Sequence, residues 1–134
     1  MKKTILTVDD GDGIRRLIRM TLEYMGFEVL EASSGAQGLA MAREHRPDLV
    51  LMDVRMPGVN GITACEAMRA DPFLKAIPVV MLSAANQPSD VDAGLASGAA
   101  AYLMKPFEPV EMIQIVTRLI EEADPGFAHL PGIE

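Results

Sequence analysis

Five short apolar segments recur along the chain, and each is followed by a segment with the spacing or composition of a helix. Near-continuous apolar strands that alternate with helices are typical of a parallel sheet covered on both faces. Right-handed crossovers leave few topologies, and five such units suit the doubly wound strand order 2-1-3-4-5. We therefore predict an α/β fold, (βα)5, with strands at Thr4–Val8, Phe27–Ala32, Pro47–Asp53, Ile77–Ser83 and Ala99–Met104.

Apolar spacing and capping residues predict the intervening helices. Gly26 is a stop signal for the first helix, and Ser33 or Ser34 is a suitable cap for the second. The helix predicted over Pro88–Gly98 is weak, because its large apolar residues are only two and a glycine lies inside it. The first helix is predicted from a stripe of Ile14, Leu17, Ile18, Thr21, Leu22 and Met25, the third from Ile62–Arg69, and the last from Val110, Ile113, Val116, Leu119 and Ile120, ending near Glu122.

Composition narrows the classes of protein that this chain can represent. Its 134 residues are 49% apolar, which favours one domain with a hydrophobic core. The apolar runs fall short of the ~20 residues that a membrane helix needs, so we expect a cytoplasmic protein without a membrane partner. The net charge of −7 argues against direct nucleic-acid binding, and Arg15, Arg16 and Arg19 are interpreted as a solvated helix face. The single Cys65 is expected to be a small buried apolar residue.

Polar residues stand at the carboxyl ends of four predicted strands. Asp9 and Asp10 end the first, Asp53 ends the third, Ser83 ends the fourth, and the fifth runs into Lys105. In the order 2-1-3-4-5 these four strands are neighbours, so the side chains should converge at one edge of the sheet. Each residue also has a simpler interpretation: Asp9, Asp10 or Asp12 as a helix cap, Asp53 as a turn residue, and Ser83 as a cap.

The predicted cluster has the chemistry of a phosphoryl-transfer site. Three carboxylates in one crevice repel each other unless a cation neutralises them, and oxygen ligands of this kind suit Mg²⁺. Lys105 would add a positive charge and Ser83 a hydroxyl donor. An aspartate in such a site can act as the nucleophile, with the cations offsetting the charge of the transferring oxygens.

The chain resembles the receiver domains of two-component response regulators, which have a flavodoxin-like fold. The motifs that carry the resemblance are "ILTVDD", "PDLVLMDVRMPGVNG", "IPVVMLSA" and "YLMKPF", and it covers residues 3 to about 122. It implies that a histidine kinase or phosphotransfer protein phosphorylates Asp53, that the chain is not an enzyme in its own right, and that a downstream effector protein or domain reads the result. It also implies a cis peptide bond between Lys105 and Pro106.

The same resemblance implies a role for each site residue. Asp9, Asp10, Asp53 and the main-chain carbonyl of Arg55 would hold Mg²⁺. Ser83 would be the switch hydroxyl, Lys105 the lysine that pairs with the phosphoryl group, and Tyr102 the aromatic switch residue. The face formed by the fourth helix, fifth strand and fifth helix would change on phosphorylation. Gly11 departs from the family, which often has an acidic or polar residue there, and Asp12 is expected to cap the helix instead.

Three other functions share part of this pattern. A phosphatase of the haloacid dehalogenase class resembles this pattern but has a second aspartate two residues after the nucleophile, where this chain has Arg55. A degenerate receiver that only binds a partner should lack the acceptor, the acidic pair or the lysine, and this chain has all three. A nucleotide-binding flavodoxin-like protein should have a glycine-rich phosphate loop after the first strand, and no such motif follows the first strand of this sequence. We expect the receiver domain to occupy residues 1–122, with 123–134 as a tail or the start of a linker.

Overall fold

The computed structural model describes residues 2–84 and 88–127. Five strands alternate with five helices, as the sequence predicts. The strands are β1 (Thr4–Val8), β2 (Glu28–Ala32), β3 (Leu49–Asp53), β4 (Val79–Ser83) and β5 (Ala101–Met104). The helices are α1 (Asp12–Tyr24), α2 (Gly35–His45), α3 (Gly61–Ala70), α4 (Pro88–Ala96) and α5 (Pro109–Ala123).

All five strands are parallel, in the order β2-β1-β3-β4-β5. This confirms the predicted doubly wound, flavodoxin-like topology. Strands β3, β4 and β5 each begin two residues later than predicted, and β2 begins one residue later. Turns precede β4 and β5: the Ile77 amide donates to the Leu74 carbonyl, and Gly98 has a φ of 100° in the turn before β5.

Two hydrophobic clusters cover the two faces of the sheet. The first packs α1 and α5 against residues such as Ile5, Leu51 and Leu82, and the second packs α2 and α3 against residues such as Leu6 and Met52. Cys65 lies in the second cluster and is fully buried, as predicted. Because side chains alternate along a strand, Asp9 and Asp53 extend the first face at the sheet's edge, whereas Ser83 and Tyr102 lie on the second.

Several predicted helix details are wrong. Gly11 is the N-cap of α1 and Asp12 is its first helical residue, so Asp12 does not cap the helix. Leu17 and Val110 were expected on buried stripes, but they are 45% and 62% exposed. The buried face of α5 instead includes Met112. The apolar pattern therefore predicts that these helices form, but it does not predict which residues at the border of each apolar stripe face water.

The segment after α5 folds back onto the base of the sheet. Asp124 forms a salt bridge with Lys3 at 2.7 Å, and the Phe127 ring stacks on Phe27 with a centroid separation of 6.0 Å. Residues 128–134 of the predicted tail lie outside the described residues. Among the helices described, none combines the length and apolar character needed to span a membrane.

Candidate phosphoryl-acceptor site

Three aspartates meet at the carboxyl edge of the sheet. Asp9 and Asp10 follow β1, and Asp53 is the last residue of the neighbouring strand β3. One carboxylate oxygen from each lies within 4.8 Å of the others. Asp9 and Asp53 are buried, whereas Asp10 is exposed. The convergence that strand order alone predicts is therefore present at the level of individual oxygen atoms.

Lys105 brings its ammonium group between two of these carboxylates. Its Nζ lies 2.7 Å from Oδ2 of Asp9 and 3.6 Å from Oδ1 of Asp53. The main-chain amide of Lys105 donates to the Ser83 carbonyl at 2.9 Å, which ties the end of β5 to the end of β4. The peptide bond from Lys105 to Pro106 is cis, which confirms that prediction.

Asp53 has an environment that disfavours its charged form. Burial raises the pKa of Asp53 to about 6, and the negative charge of Asp9 adds to the rise. Lys105 and a hydrogen bond from the main chain of Arg55 act in the opposite direction. Near neutral pH this carboxylate is ionised at a free-energy cost that an added cation would relieve.

The loop after β3 holds Asp53 by its backbone. The Val54 amide donates to the Leu82 carbonyl, and the Gly61 amide returns to the Val54 carbonyl at 2.9 Å. A Cβ atom on Gly61 would come within 2.1 Å of the Asp53 carbonyl oxygen, so the first residue of α3 must be a glycine for the helix to start this close. The Asn60 side chain accepts from the Thr63 amide and caps α3. This cap was not predicted, although an asparagine before an apolar segment is a usable signal.

Ser83 and Tyr102 lie on the neighbouring strands β4 and β5. Ser83 is 1% exposed and pairs in register with Met104, so it stands at the same edge as Asp53. Tyr102 pairs with Met81, two residues further from the edge. The Tyr102 ring lies against Gly94 of α4, where a Cβ would be 2.9 Å from two ring carbons. The sequence offered no signal for this contact with α4.

Arg15 also lies at the site, although the sequence did not predict this. Its side chain was interpreted as part of a solvated face, but it is only 13% exposed. Its Nη1 donates to the main-chain carbonyl of Asp9 at 2.6 Å. The same guanidinium pairs with Asp12 and Glu31. A cluster of three arginines in a sequence does not distinguish the one that turns inward.

The donor set fits a hard divalent cation. Carboxylate oxygens from three aspartates, two of them buried, are the ligands that Mg²⁺ takes together with water. Burial, together with the negative charge of Asp9, raises the pKa of Asp53 despite the nearby Lys105, so a bound cation would favour the ionised carboxylate. The cluster can therefore hold a metal ion on chemical grounds.

Comparison with curated proteins gives a consistent set of relatives. The DNA-binding response regulator MtrA of Mycobacterium tuberculosis H37Rv is 41% identical over 133 residues, covering 99% of this chain and 57% of that protein. The phosphate regulon regulatory protein PhoB of Pseudomonas aeruginosa is 36% identical over 129 residues, covering 96% of this chain and 56% of that protein. The chain thus spans little more than half the length of these relatives.

Solved structures of response regulators are also similar to this chain. The chemotaxis protein CheY4 of Vibrio cholerae superimposes with a TM-score of 0.84 at 34% identity, covering 89% of this chain and 99% of that one. A response regulator structure from Chloroflexus aurantiacus gives 0.86 at 37% identity, covering 90% and 98%. The family model described as the response regulator receiver domain matches residues 5–117. The chain therefore belongs to the response regulator receiver domain family of two-component signalling.

Proposed function

We propose that Asp53 is the phosphoryl acceptor of this receiver domain. The observation that carries the proposal is the meeting of the buried Asp53 carboxylate with Asp9, Asp10 and Lys105 at one edge of the sheet. The donor is a phosphohistidine of a histidine kinase or phosphotransfer protein. A carboxylate oxygen of Asp53 forms the new O–P bond while the N–P bond of the donor breaks, and its electron pair returns to the imidazole nitrogen.

Asp9, Asp10 and Asp53, with the main-chain carbonyl of Arg55, would hold Mg²⁺ in this proposal. When bound, the ion offsets negative charge on the acceptor and on the transferring oxygens. Lys105 starts from its pairing with Asp9 and Asp53 and exchanges these partners for a phosphoryl oxygen. The shared position of Lys105 between two carboxylates supports this role, because its Nζ needs only a small movement to reach a group on Asp53.

Ser83 and Tyr102 would convert the modification into a change of surface. The Ser83 hydroxyl would donate to a phosphoryl oxygen, and the Tyr102 ring would move into the space that this leaves. Tyr102 contacts α4 at Gly94, so a movement of the ring would change the packing of that helix. The proposed output is a protein-binding surface on α4, β5 and α5, read by an effector protein or domain, with no direct nucleic-acid binding by this chain.

Turnover of small phosphate esters is not part of this function. In the competing phosphatase chemistry a second aspartate stands two residues after the nucleophile and serves as acid and base, but Arg55 occupies that position here. Water attack on the phosphorylated Asp53 would therefore lack a dedicated base. We propose a signalling domain that assists its own phosphorylation and dephosphorylation, with residues 123–134 as a tail or linker.

Acetyl phosphate tests the acceptor directly. With Mg²⁺ present, mass spectrometry should find one added phosphoryl group on the wild-type chain. Labelling should disappear in Asp53→Asn, since an amide is not a nucleophile toward phosphorus, and in the presence of a chelator. Asp48→Asn, which alters a carboxylate that accepts from the Thr4 amide at the opposite end of β1, serves as the control and should label normally. Equal labelling of the Asp53 variant would rule out the assignment.

A further inference from the structure

Arg15 is a partly buried cation beside the acidic cluster. Its side chain is 13% exposed, against 47% for Arg19 one turn further along α1. The guanidinium donates from Nη1 to the Asp9 carbonyl at 2.6 Å, from Nη2 to Asp12 at 2.5 Å, and from Nε to Glu31 at 3.2 Å. One planar group therefore ties together the end of β1, the first turn of α1 and the strand β2.

The contact with the Asp9 carbonyl bears on how the turn from Asp9 to Asp10 is oriented. That oxygen belongs to the peptide unit that joins Asp9 to Asp10, and a peptide unit is planar. Fixing its oxygen therefore fixes the direction in which the chain enters Asp10. The rest of the turn is held by the Asp9 amide, which donates to Ala32, and by the Asp9 carboxylate, which accepts from the Gly11 amide at 2.8 Å. Asp10 itself is exposed, so its place depends on this backbone.

We propose that Arg15 is a positioning residue for the cation site. It holds the turn from Asp9 to Asp10 in the conformation that brings both carboxylates to Asp53, and so sets the affinity of the site for a divalent cation. The inference rests on the proposed function, because it assumes that these three aspartates bind the ion. It adds a residue that touches neither the ion nor the phosphoryl group.

Charge alone would give the opposite result. Removing a positive charge near three carboxylates should strengthen the binding of a dication, because it removes a repulsion. Removal of the guanidinium would also leave Asp12 and Glu31 with one positive partner fewer, which makes the surroundings of the site more negative still. If positioning dominates, removing Arg15 weakens binding instead. The sign of the effect therefore separates the two explanations.

Arg15→Met and Arg19→Met form a matched pair for the test. Both variants lose an ion pair with Glu31, but only Arg15 contacts the Asp9 carbonyl. Calorimetric titration with Mg²⁺ alone should show a Kd raised roughly tenfold in Arg15→Met, the size expected for one hydrogen bond from a charged donor. Arg19→Met should stay within about twofold of the wild type. Equal Kd values for the two variants, or tighter binding by Arg15→Met, would overturn the inference.

Arg15→Lys keeps the charge but loses the planar fork that serves three acceptors. It should also bind Mg²⁺ more weakly than the wild type, and wild-type affinity would overturn the geometric account. Urea unfolding of each variant in chelator identifies the conditions in which all are folded. If the wild-type chain binds no Mg²⁺, both the proposed function and this inference fail. If the wild type binds Mg²⁺ but Arg15→Met and Arg19→Met have equal Kd values, only the inference fails.

Discussion

Asp53 is buried among like charges, and this has a measurable cost in the metal-free protein. Its pKa lies at about 6, above the ordinary value of 3.8. A carboxyl group whose pKa is higher in the folded chain than in the unfolded chain destabilises the fold once it is ionised. The penalty is absent below pH 3.8 and grows as the pH rises through the interval up to about 6. Above that interval it is fully present.

Asp53→Asn should therefore stabilise the metal-free protein near pH 7.5. A pKa rise of this size corresponds to about 3 kcal/mol in the free energy of unfolding, and the gain should be smaller than this because the amide also loses the attraction to Lys105. The gain should shrink as the pH falls toward 4, where wild-type Asp53 is protonated. Urea unfolding in chelator at both pH values measures it. Asp92→Asn, an exposed carboxylate on α4, is the control and should change little at either pH. No gain at pH 7.5 would mean that Lys105 fully compensates the charge.

Helix α4 meets strand β5 through a glycine. A Cβ atom at Gly94 would lie 2.9 Å from Cδ2 and Cε2 of the Tyr102 ring, closer than real Cβ contacts. A glycine inside a helix normally lowers stability by roughly 0.5–1 kcal/mol relative to alanine. The ring of Tyr102 can therefore occupy its observed place only because the helix carries a residue that is poor for helix formation.

Gly94→Ala should lose the stabilisation that glycine-to-alanine changes in helices usually give. The methyl group improves helix propensity but forces the Tyr102 ring or α4 to move. Gly13→Ala in α1 is the matched control, since in the described part of the chain its added Cβ meets nothing within 4 Å besides its chain neighbours and its own helix backbone. Gly13→Ala should gain up to about 1 kcal/mol in urea unfolding. An equal gain from Gly94→Ala would show that the ring yields without cost.

These helix contacts mark the limit of what the sequence could predict. The five strand segments and their order followed from apolar patterning and from the handedness of crossovers. The edge where Asp9, Asp53 and Lys105 meet followed from the strand order, because each lies at or just after a strand end. The inward turn of Arg15 and the seat of Tyr102 on Gly94 could not be predicted. Both depend on how a helix is rotated and placed over the sheet, and local sequence does not specify either.

At the scale of the whole molecule, the surface formed by α4, β5 and α5 should respond to a group on Asp53 more than helix α1 does. Ser83 and Tyr102 lie on the face covered by α4, whereas α1 packs on the other face with its buried Ile18 and Leu22. Beryllofluoride bound at Asp53 should shift amide resonances in β4, α4, β5 and α5. Residues of α1 beyond its first turn should shift much less.

Ser83→Ala tests whether the hydroxyl carries this response. The variant should bind Mg²⁺ nearly as the wild type does, because Ser83 is not among the clustered carboxylates. With beryllofluoride, its amide shifts near Tyr102 should be smaller than those of the wild type. Wild-type shifts around Tyr102 in this variant would refute the proposed route through Ser83. Shifts confined to the loops around Asp53 in the wild type would refute the switch itself.

The stacking of Phe127 on Phe27 has a practical consequence for the design of fusion proteins with this domain. Lys3 and Asp124 meet beside the first residue of β1, so the last described segment is fastened at the end of the sheet opposite Asp53. A reporter protein or affinity handle fused directly after Phe127 would be attached at the end of the domain opposite the acceptor. Fusion at this end should leave the site accessible to a phosphodonor, which makes it the natural side for immobilising the domain on a sensor surface.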